Sequence, residues 1–540
     1  MSPASGQAPV NAEGRGARAY HDATKHSWQS VRAGDHSLDW ETKPLLYKIY
    51  VDAPAIALPR EVSRPDLPAI DALARVTARP GEGTVDLPRL AQLLFFAAGL
   101  TRKKVYPGGE EHHFRAAAST GALYEVEAYV VAGPLPDLES GVYHFCPGDF
   151  TLRRLRAGDY RGVLADAASD PERVRGAPAT LVLSAIYWRN AWKYRARAFR
   201  HFFWDSGTLL ANLLATAAAA DLACRVLLGF ADASVNALLG LDVAREASLA
   251  LAPLGQGAPA PPGEPPPLPP LTLATIPLSS REVDYPLIRE VQATSSLESG
   301  AAARAWSRPP GGGDLTPGRP TTPPRPPPGH ALPRAMHSSP PLGEVILRRG
   351  STRQFGRGAI GLAALSTILD AAVRDLPLDA ADTPLVDCYL LVHAVDGLPP
   401  GAYAYEPDPR ALRSLRAGEF RAEGGYLCLE QSLGADASAV VFFLSDLRAL
   451  LARYGDRGYR AANLAAGLLG GRMYLAAYAL GLGASGLTFY DDDVVRFFAP
   501  ETAGKDAIFV TALGRASRPA HPPGLPQAEG EIHPLRPGQP

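Results

Sequence analysis

"GVYHFCPGDFTLRRLRAGDYR" occupies Gly141–Arg161, and "GAYAYEPDPRALRSLRAGEFR" occupies Gly401–Arg421. The two stretches align without a gap at an offset of 260 positions and share "LRAG" outright. At the same offset "KYRARAFR" (Lys193–Arg200) falls on "RYGDRGYR" (Arg453–Arg460), and Gly207 falls on Gly467. "LLGFADASVNALLG" from Leu227 likewise falls on "LTFYDDDVVRFFAP" from Leu487. Agreement of Gly, Tyr and Arg at one fixed offset over so many segments marks a duplication. A repeat governs the fold and has to be found before single elements are read.

The copies are joined by sequence of another kind. Gly255–Pro270 and Ser307–Pro341 are loaded with Pro and Gly, as in "RPPGGGDLTPGRPTTPPRPPPG". Such segments bury too little apolar surface to pack and act as extended spacers. "LTLATIPLSSREVDYPLIREV" between them is assigned to the first copy. The expected division is a disordered terminus over 1–19, a first domain over 20–300, a Pro/Gly-rich linker over 301–341, a second domain over 342–520 and a disordered tail over 521–540. Each copy reads as α+β. Leu87–Leu100 and Leu362–Val373 have helical periodicity, while "EVEAYVVAG", "DCYLLVHAV", "ATLVLSAI" and "AVVFFLSD" read as strands. A long apolar helix follows in each, Phe199–Ala220 and Tyr459–Leu480, with Gly481 or Gly483 as its stop.

Bulk properties exclude several classes. A chain of 540 residues implies two to four domains. Apolar content of 46%, charged content of 20% and a formal net charge of −1 describe a globular protein with no general pull toward nucleic acid or anionic membrane. Cys146, Cys224, Cys388 and Cys428 form no CxxC pair, so neither a disulfide framework nor a zinc site is expected. His112 and His113, in "PGGEEHH", cannot close a tetrahedral site alone, and no metal is expected. No apolar h-region opens the chain. The most apolar stretch, Leu209–Phe230, is interrupted by Asn212, Asp221 and Arg225 and reads as a buried helix rather than a membrane span. A reduced, cytoplasmic setting follows.

The copies also differ, and the differences are complementary. The second opens with "LRRGSTRQF" (Leu347–Phe355), where Arg349, Ser351 and Arg353 present guanidinium forks and a hydroxyl suited to a phosphate. The first has about "LARVTARP" there, without that spacing. The first carries "RAAASTGALYEVEAY" (Arg115–Tyr129), a small-residue loop that lets backbone approach a flat ring. The second has "DLPLDAADTPLVDCY" (Asp375–Tyr389), without the Gly or the Ser/Thr pair.

These motifs resemble the nitroreductase superfamily of flavoproteins, and more closely the SagB/ThcOx-type dehydrogenases that oxidise azolines to azoles in peptide natural products. The resemblance implies two fused domains packed as an internal pseudo-dimer around flavin mononucleotide, FMN. It places Arg349, Ser351 and Arg353 on the phosphate and ribityl chain, and Ser119, Thr120, Gly121, Ala122 and Leu123 against the isoalloxazine. It makes the Lys193–Tyr194 pair, Arg453–Tyr454 in the second copy, a mark of azoline dehydrogenases. "YHDATKH" (Tyr20–His26) resembles an N-terminal mark of the SagB type. Three departures bear on substrate: Ala118 replaces Pro, Glu125 replaces Pro, and "DSGT" (Asp205–Thr208) replaces Asp-Ala-Gly-His. "GLGASG" (Gly481–Gly486) matches GxGxxG, but a helix precedes it, which is the wrong context for a dinucleotide site. The resemblance instead puts Gly483 and Ala484 beside the flavin, with Arg515 as a further ligand.

The expected chemistry is hydride transfer to FMN with Lys193 or Tyr194 as base. The expected substrate is a peptide or a small molecule, with a cyclodehydratase-type partner. An NAD(P)H-dependent oxidoreductase acting on small molecules and a non-catalytic flavin-binding scaffold stand as alternatives. A monomer suffices, because the twofold interface is built within the chain.

Overall fold

The computed structural model describes residues 11, 14–34, 37–75, 83–105, 111–257, 263–308, 329–380 and 384–518. Each half is an antiparallel sheet with helices against it. In the first half the strands run in the order Ala55–Ala57, Thr151–Ala157, Gly141–Cys146, Val126–Ala132, Ala179–Ile186 and Glu246–Leu254. In the second half the order is His330–Ala331, Ala411–Ala417, Gly401–Glu406, Asp387–Val392, Ala439–Ser445, Asp506–Gly514 and Gly483–Gly486. The 260-residue offset holds into the irregularities. A register shift at Val142/Tyr143 recurs at Ala402/Tyr403, and one at Leu183/Ser184 recurs at Phe443/Leu444. Bulges bend a strand and re-aim its side chains, so the two sheets curve alike.

The halves meet along two long helices, Ala198–Ala219 and Arg457–Ala479, nearly every residue of which is buried. They cross where Gly207 lies on Gly467. A Cβ on Gly207 would stand 2.4 Å from the Leu468 nitrogen, and one on Gly467 would stand 2.3 Å from the Trp204 carbonyl oxygen. Only glycine permits this backbone-to-backbone approach. A single apolar core runs through the crossing from one half into the other.

Reciprocal buried ion clusters lock the crossing. Arg197 and Arg200, at the start of the first long helix, reach Asp491 of the second half at 3.0 and 2.6 Å. Their counterparts Arg457 and Arg460 reach Asp232 of the first half at 2.5 and 2.7 Å. Burial opposes ionisation of Asp491, but Arg197 and Arg200 outweigh it and hold its carboxyl below the usual range. The helix Arg15–Ala23 clasps this region: Tyr20 donates to the Ala196 carbonyl at 2.5 Å, His21 meets the Tyr459 hydroxyl at 3.1 Å, and the His26 amide donates to Asp491 at 2.8 Å. The "YHDATKH" motif is thus a fastening across the halves.

Two expected boundaries change. Residues 15–19, placed in the disordered terminus, begin that clasping helix, where Arg18 pairs with Asp506 at 2.7 Å. The linker expected over 301–341 is built into the fold at both ends. Gly300–Ser307 is a helix whose Trp306 is buried and donates to the Tyr454 carbonyl at 2.8 Å, and His330–Ala331 joins the second sheet. The central part of the linker, 309–328, and the expected tail, 521–540, lie outside the described residues.

Removing one partner of a buried ion pair strands a charge in low dielectric, at a cost of about 3–5 kcal/mol. Asp232→Ala, which strands Arg457 and Arg460, is expected to lower the unfolding free energy by that order, read as a lower urea midpoint; an unchanged midpoint contradicts the assigned role of the cluster.

Candidate functional site

The first half contributes a loop between the strands Glu111–Arg115 and Val126–Ala132. Gly121 and Ala122 have φ of 66° and 55°, the left-handed region. The loop is pinned from the long helix by the two ends of "DSGT". Ser119 Oγ and the Thr120 amide donate to Asp205 Oδ2 at 2.7 and 2.6 Å, and Thr120 Oγ1 donates to Oδ1 at 2.8 Å. Thr208 Oγ1 donates to the Ala118 carbonyl at 2.6 Å. Gly121 lies against Tyr194: a Cβ there would stand 2.8 Å from the phenol oxygen. Leu123 packs with Trp188 and Trp192.

Lys193 and Tyr194 end the helix Tyr187–Tyr194, which stops where Arg195 takes φ 51°. Lys193 is half-buried. Burial, and then the charge of Arg353 from the other half, lower its ammonium below the usual lysine range. Burial pushes the Tyr194 phenol up, reinforced by the negative charge of the neighbouring Asp205–Glu125 pair. The Tyr194 ring stands edge-on to His201, with centroids 4.5 Å apart.

The second half contributes the segment after the helix Leu342–Arg348. Arg349 is buried and donates across to the first half, from Nε to the Ala116 carbonyl at 2.9 Å and from Nη2 to that of Arg115 at 3.1 Å. Ser351 Oγ lies 3.2 Å from the Tyr474 hydroxyl, which accepts from the Gly486 amide at 2.6 Å. The Thr352 amide donates to the Ala484 carbonyl at 2.9 Å, and a Cβ on Gly483 would stand 2.2 Å from Thr352 Oγ1. Arg353 is exposed and faces Lys193 and Tyr194. Thus the second half reaches the first at two points here, Arg349 at the base of the loop and Arg353 toward the Lys193–Tyr194 pair, while Ser351, Gly483 and Ala484 gather on the second half's side of this cleft. Arg515 stands apart from these: its Nε donates to the Ala359 carbonyl at 2.8 Å, at the edge of the segment.

The helix preceding "GLGASG" ends at Ala479, Gly481 takes φ 70°, and Gly483–Gly486 is itself an edge strand paired with Asp506–Gly514. The strand is therefore "GASG" itself. The next helix begins only at Asp491, so no helix N-terminus directly follows the glycines to receive a pyrophosphate.

Sequence reasoning missed Arg102. It lies in the hairpin Leu100–Val105/Glu111–Arg115 and donates to the Leu347 carbonyl at 3.3 Å. Burial, and then the neighbouring Arg349 charge, lower its guanidinium to about 10. Neither Arg102, Arg349 nor Arg353 has a carboxylate partner among the described residues. Two arginines side by side without a counter-ion favour an anion. Nothing in the alignment signalled Arg102, since its hairpin has no counterpart in the second copy. His113 of the same hairpin hydrogen-bonds the Tyr47 hydroxyl at 2.6 Å, and among the described residues no group of three metal-ligating side chains gathers.

The pseudo-symmetric cleft is closed. Asp379, which aligns with Ser119, accepts from the amides of Leu228 and Gly229 at 2.7 and 2.8 Å and from Ser169 Oγ at 2.6 Å. Val226 and Leu378 form a backbone bridge. The equivalent residues of the first cleft, the Ser119 loop and 483–489, make no hydrogen bond to each other among the described residues. Asp379→Ala leaves buried donors unmet and is expected to cost about 1–3 kcal/mol, read as a lower melting temperature; no loss would contradict the plug.

A model of the nitroreductase family matches residues 82–256 and 346–514, more than half of the chain. A provisionally assigned nitroreductase of Methanocaldococcus jannaschii is 30% identical over 162 residues, which is 28% of this chain and 81% of that protein. The crystal structure of a provisionally assigned nitroreductase from Anabaena variabilis superposes with a TM-score of 0.70 at 28% identity, over 93% of this chain and 99% of that one. The tandem arrangement is therefore shared. An E. coli microcin synthetase complex, McbBCD, with truncated pro-MccB17 bound, is 18% identical with a TM-score of 0.27, over 47% of this chain and 77% of that one, too distant to bear on substrate.

Proposed function

The chain belongs to the nitroreductase family and is an oxidoreductase of that family; from that premise we propose that it holds one FMN in the open cleft and dehydrogenates a heterocycle, azoline to azole, in a peptide. The observation that carries this reading is the asymmetry of the two clefts: one brings Lys193, Tyr194, Arg353 and the Gly121 loop together, and the other is filled by Asp379.

The residues fit FMN. Arg102 and Arg349 present uncompensated positive charge to a phosphate. Gly121 and Gly483 let Tyr194 and Thr352 pack directly against the backbone of the two walls. Thr352 Oγ1 and Ser485 Oγ are buried hydroxyls with no hydrogen-bond partner. Arg349, Ser351 and Arg353 would serve the phosphate and ribityl chain, Ser119 to Leu123 the ring, and Gly483 and Ala484 the opposite wall. Arg515 would be an outer contact, because it stands at the edge of this segment beside Ala359.

FMN in this cleft would supply hydride acceptance. The chain's own part is proton removal. Oxidation of an azoline releases a hydride from one carbon and a proton from its neighbour, and the proton needs a base. Lys193 Nζ serves, because burial and Arg353 favour its neutral amine. Tyr194 is held as a neutral phenol beside it, and its pressed contact with Gly121 positions the loop. A cyclodehydratase-type enzyme would supply the azoline. Among the described residues no helix is long and apolar enough to cross a membrane.

Lys193→Ala is expected to keep the flavin absorbance and to lose substrate oxidation by about 100-fold or more, the usual scale for a general base. The wild-type rate should rise with pH to an inflection below the ordinary lysine value of 10.5, absent from the variant. Unchanged turnover sinks the azoline reading. Bleaching of bound flavin by NAD(P)H favours a family member acting on small molecules, and a chain left colourless after incubation with FMN overturns the flavin site.

A further inference from the structure

Glu125, which closes the loop, is fully buried, and its neighbour is another acid. Ser119 Oγ lies 2.7 Å from Asp205 Oδ2 and 3.4 Å from Glu125 Oε2, so one hydroxyl touches both carboxyl groups. Ser119 thereby bridges the two acids, and Asp205 is the charged group that acts most strongly on Glu125. Asp205 also accepts from the Thr120 amide and hydroxyl, whereas Glu125 Oε1 has no hydrogen-bond partner. Asn190 and Tyr194 of the neighbouring helix, His201 of the long helix and Tyr124 of the loop surround the pair. Burial and nearby arginines keep His201 neutral. The nearby Arg189 is engaged with Glu127 and the Tyr124 carbonyl, and Arg353 faces Tyr194. No lysine or arginine pairs with either acid among the described residues.

We propose that Glu125 and Asp205 hold a single proton between them, carried by Glu125 toward Asp205, and that this proton fixes the Ser119–Leu123 loop in its cleft-facing conformation. Two carboxylates in contact in a dry site cannot both ionise. The donors around Asp205 assign it the charge, and the bare Oε1 of Glu125 suits the carbonyl of a neutral acid. Burial, and then the negative charge of Asp205, push the Glu125 carboxyl well above its usual range. Glu125 is therefore a positioning residue. It replaces a residue that has no proton to give, and it secures Asp205, which in turn secures Ser119 and Thr120. This inference rests on the proposed flavin site only for the use to which the loop is put.

The sign of the pH dependence follows. A group whose proton affinity rises on folding stabilises the fold fully below its unfolded value and loses that contribution as pH rises through its folded value. Wild-type stability should therefore decline from mildly acid to alkaline pH more steeply than that of Glu125→Gln, whose amide donates to Asp205 without titrating.

Infrared spectroscopy of the purified full chain at neutral pH tests the proton directly. The carbonyl stretch of one protonated carboxylic acid is expected in the wild type and absent from Glu125→Gln. Amide hydrogen exchange over 116–124 tests the positioning: Glu125→Leu should exchange at least about tenfold faster, which corresponds to a loss of about 1.4 kcal/mol, and Glu125→Gln should match the wild type. Identical infrared spectra, or exchange unaffected by the leucine, overturn the proposal; if the leucine variant does not fold, the infrared comparison decides. A chain with the band and the protected loop that binds no FMN overturns the proposed function and leaves the shared proton standing.

Discussion

Backbone contact between Gly207 and Gly467 is the constraint on which the rest depends. Both residues lie midway along the long helices, and a side chain on either would meet main-chain atoms at 2.3–2.4 Å. Main chain has no rotamer to move aside, so the helices can approach only with glycine at both positions. That approach brings Arg197 and Arg200 onto Asp491, and Arg457 and Arg460 onto Asp232. It also places Asp205 and Thr208, two residues before and one after Gly207, beneath the cleft loop. The crossing that holds the halves together and the helix that shapes the cleft are one element.

A twofold arrangement generates two equivalent clefts, and this chain plugs one of them. Where the first half has Ser119, a hydroxyl bonded within its own half, the second has Asp379, whose carboxylate caps the amides of Leu228 and Gly229. The substitution turns a facing loop into a filled contact. The retained cleft draws on both halves: Arg349 and Arg353 from the second, Arg102, Lys193 and Asp205 from the first. Fusion lets each half lose what the other supplies.

Much of this was legible in the sequence because duplication writes structure twice. The fixed offset predicted two like folds, and the helix expected over Leu362–Val373 has those bounds. The complementary losses predicted a cleft made by both halves, and the charge of Arg353 in the second half acts on Lys193 in the first. What escaped detection lacked a second copy or a local signal. Arg102 stands in an unmatched hairpin, and its importance arises only from a neighbour 247 residues away. Asp379 read as a lost loop, because sequence cannot show that its carboxylate finds two amides in the other half. Glu125 and "DSGT" stood out as departures, but their contact depends on how the long helix lies under the loop. Residues 301–307 read as linker because Pro-rich sequence follows, although Trp306 is buried against the second half.

The stoichiometry of FMN per chain tests the central claim most directly. Titration of the purified full-length protein, followed by flavin absorbance and calorimetry alongside its molecular mass, is predicted to saturate at one FMN per 540-residue chain in the monomer. Saturation at two per chain, or binding that requires two chains for each FMN, would contradict a cleft built within one chain and a plugged counterpart.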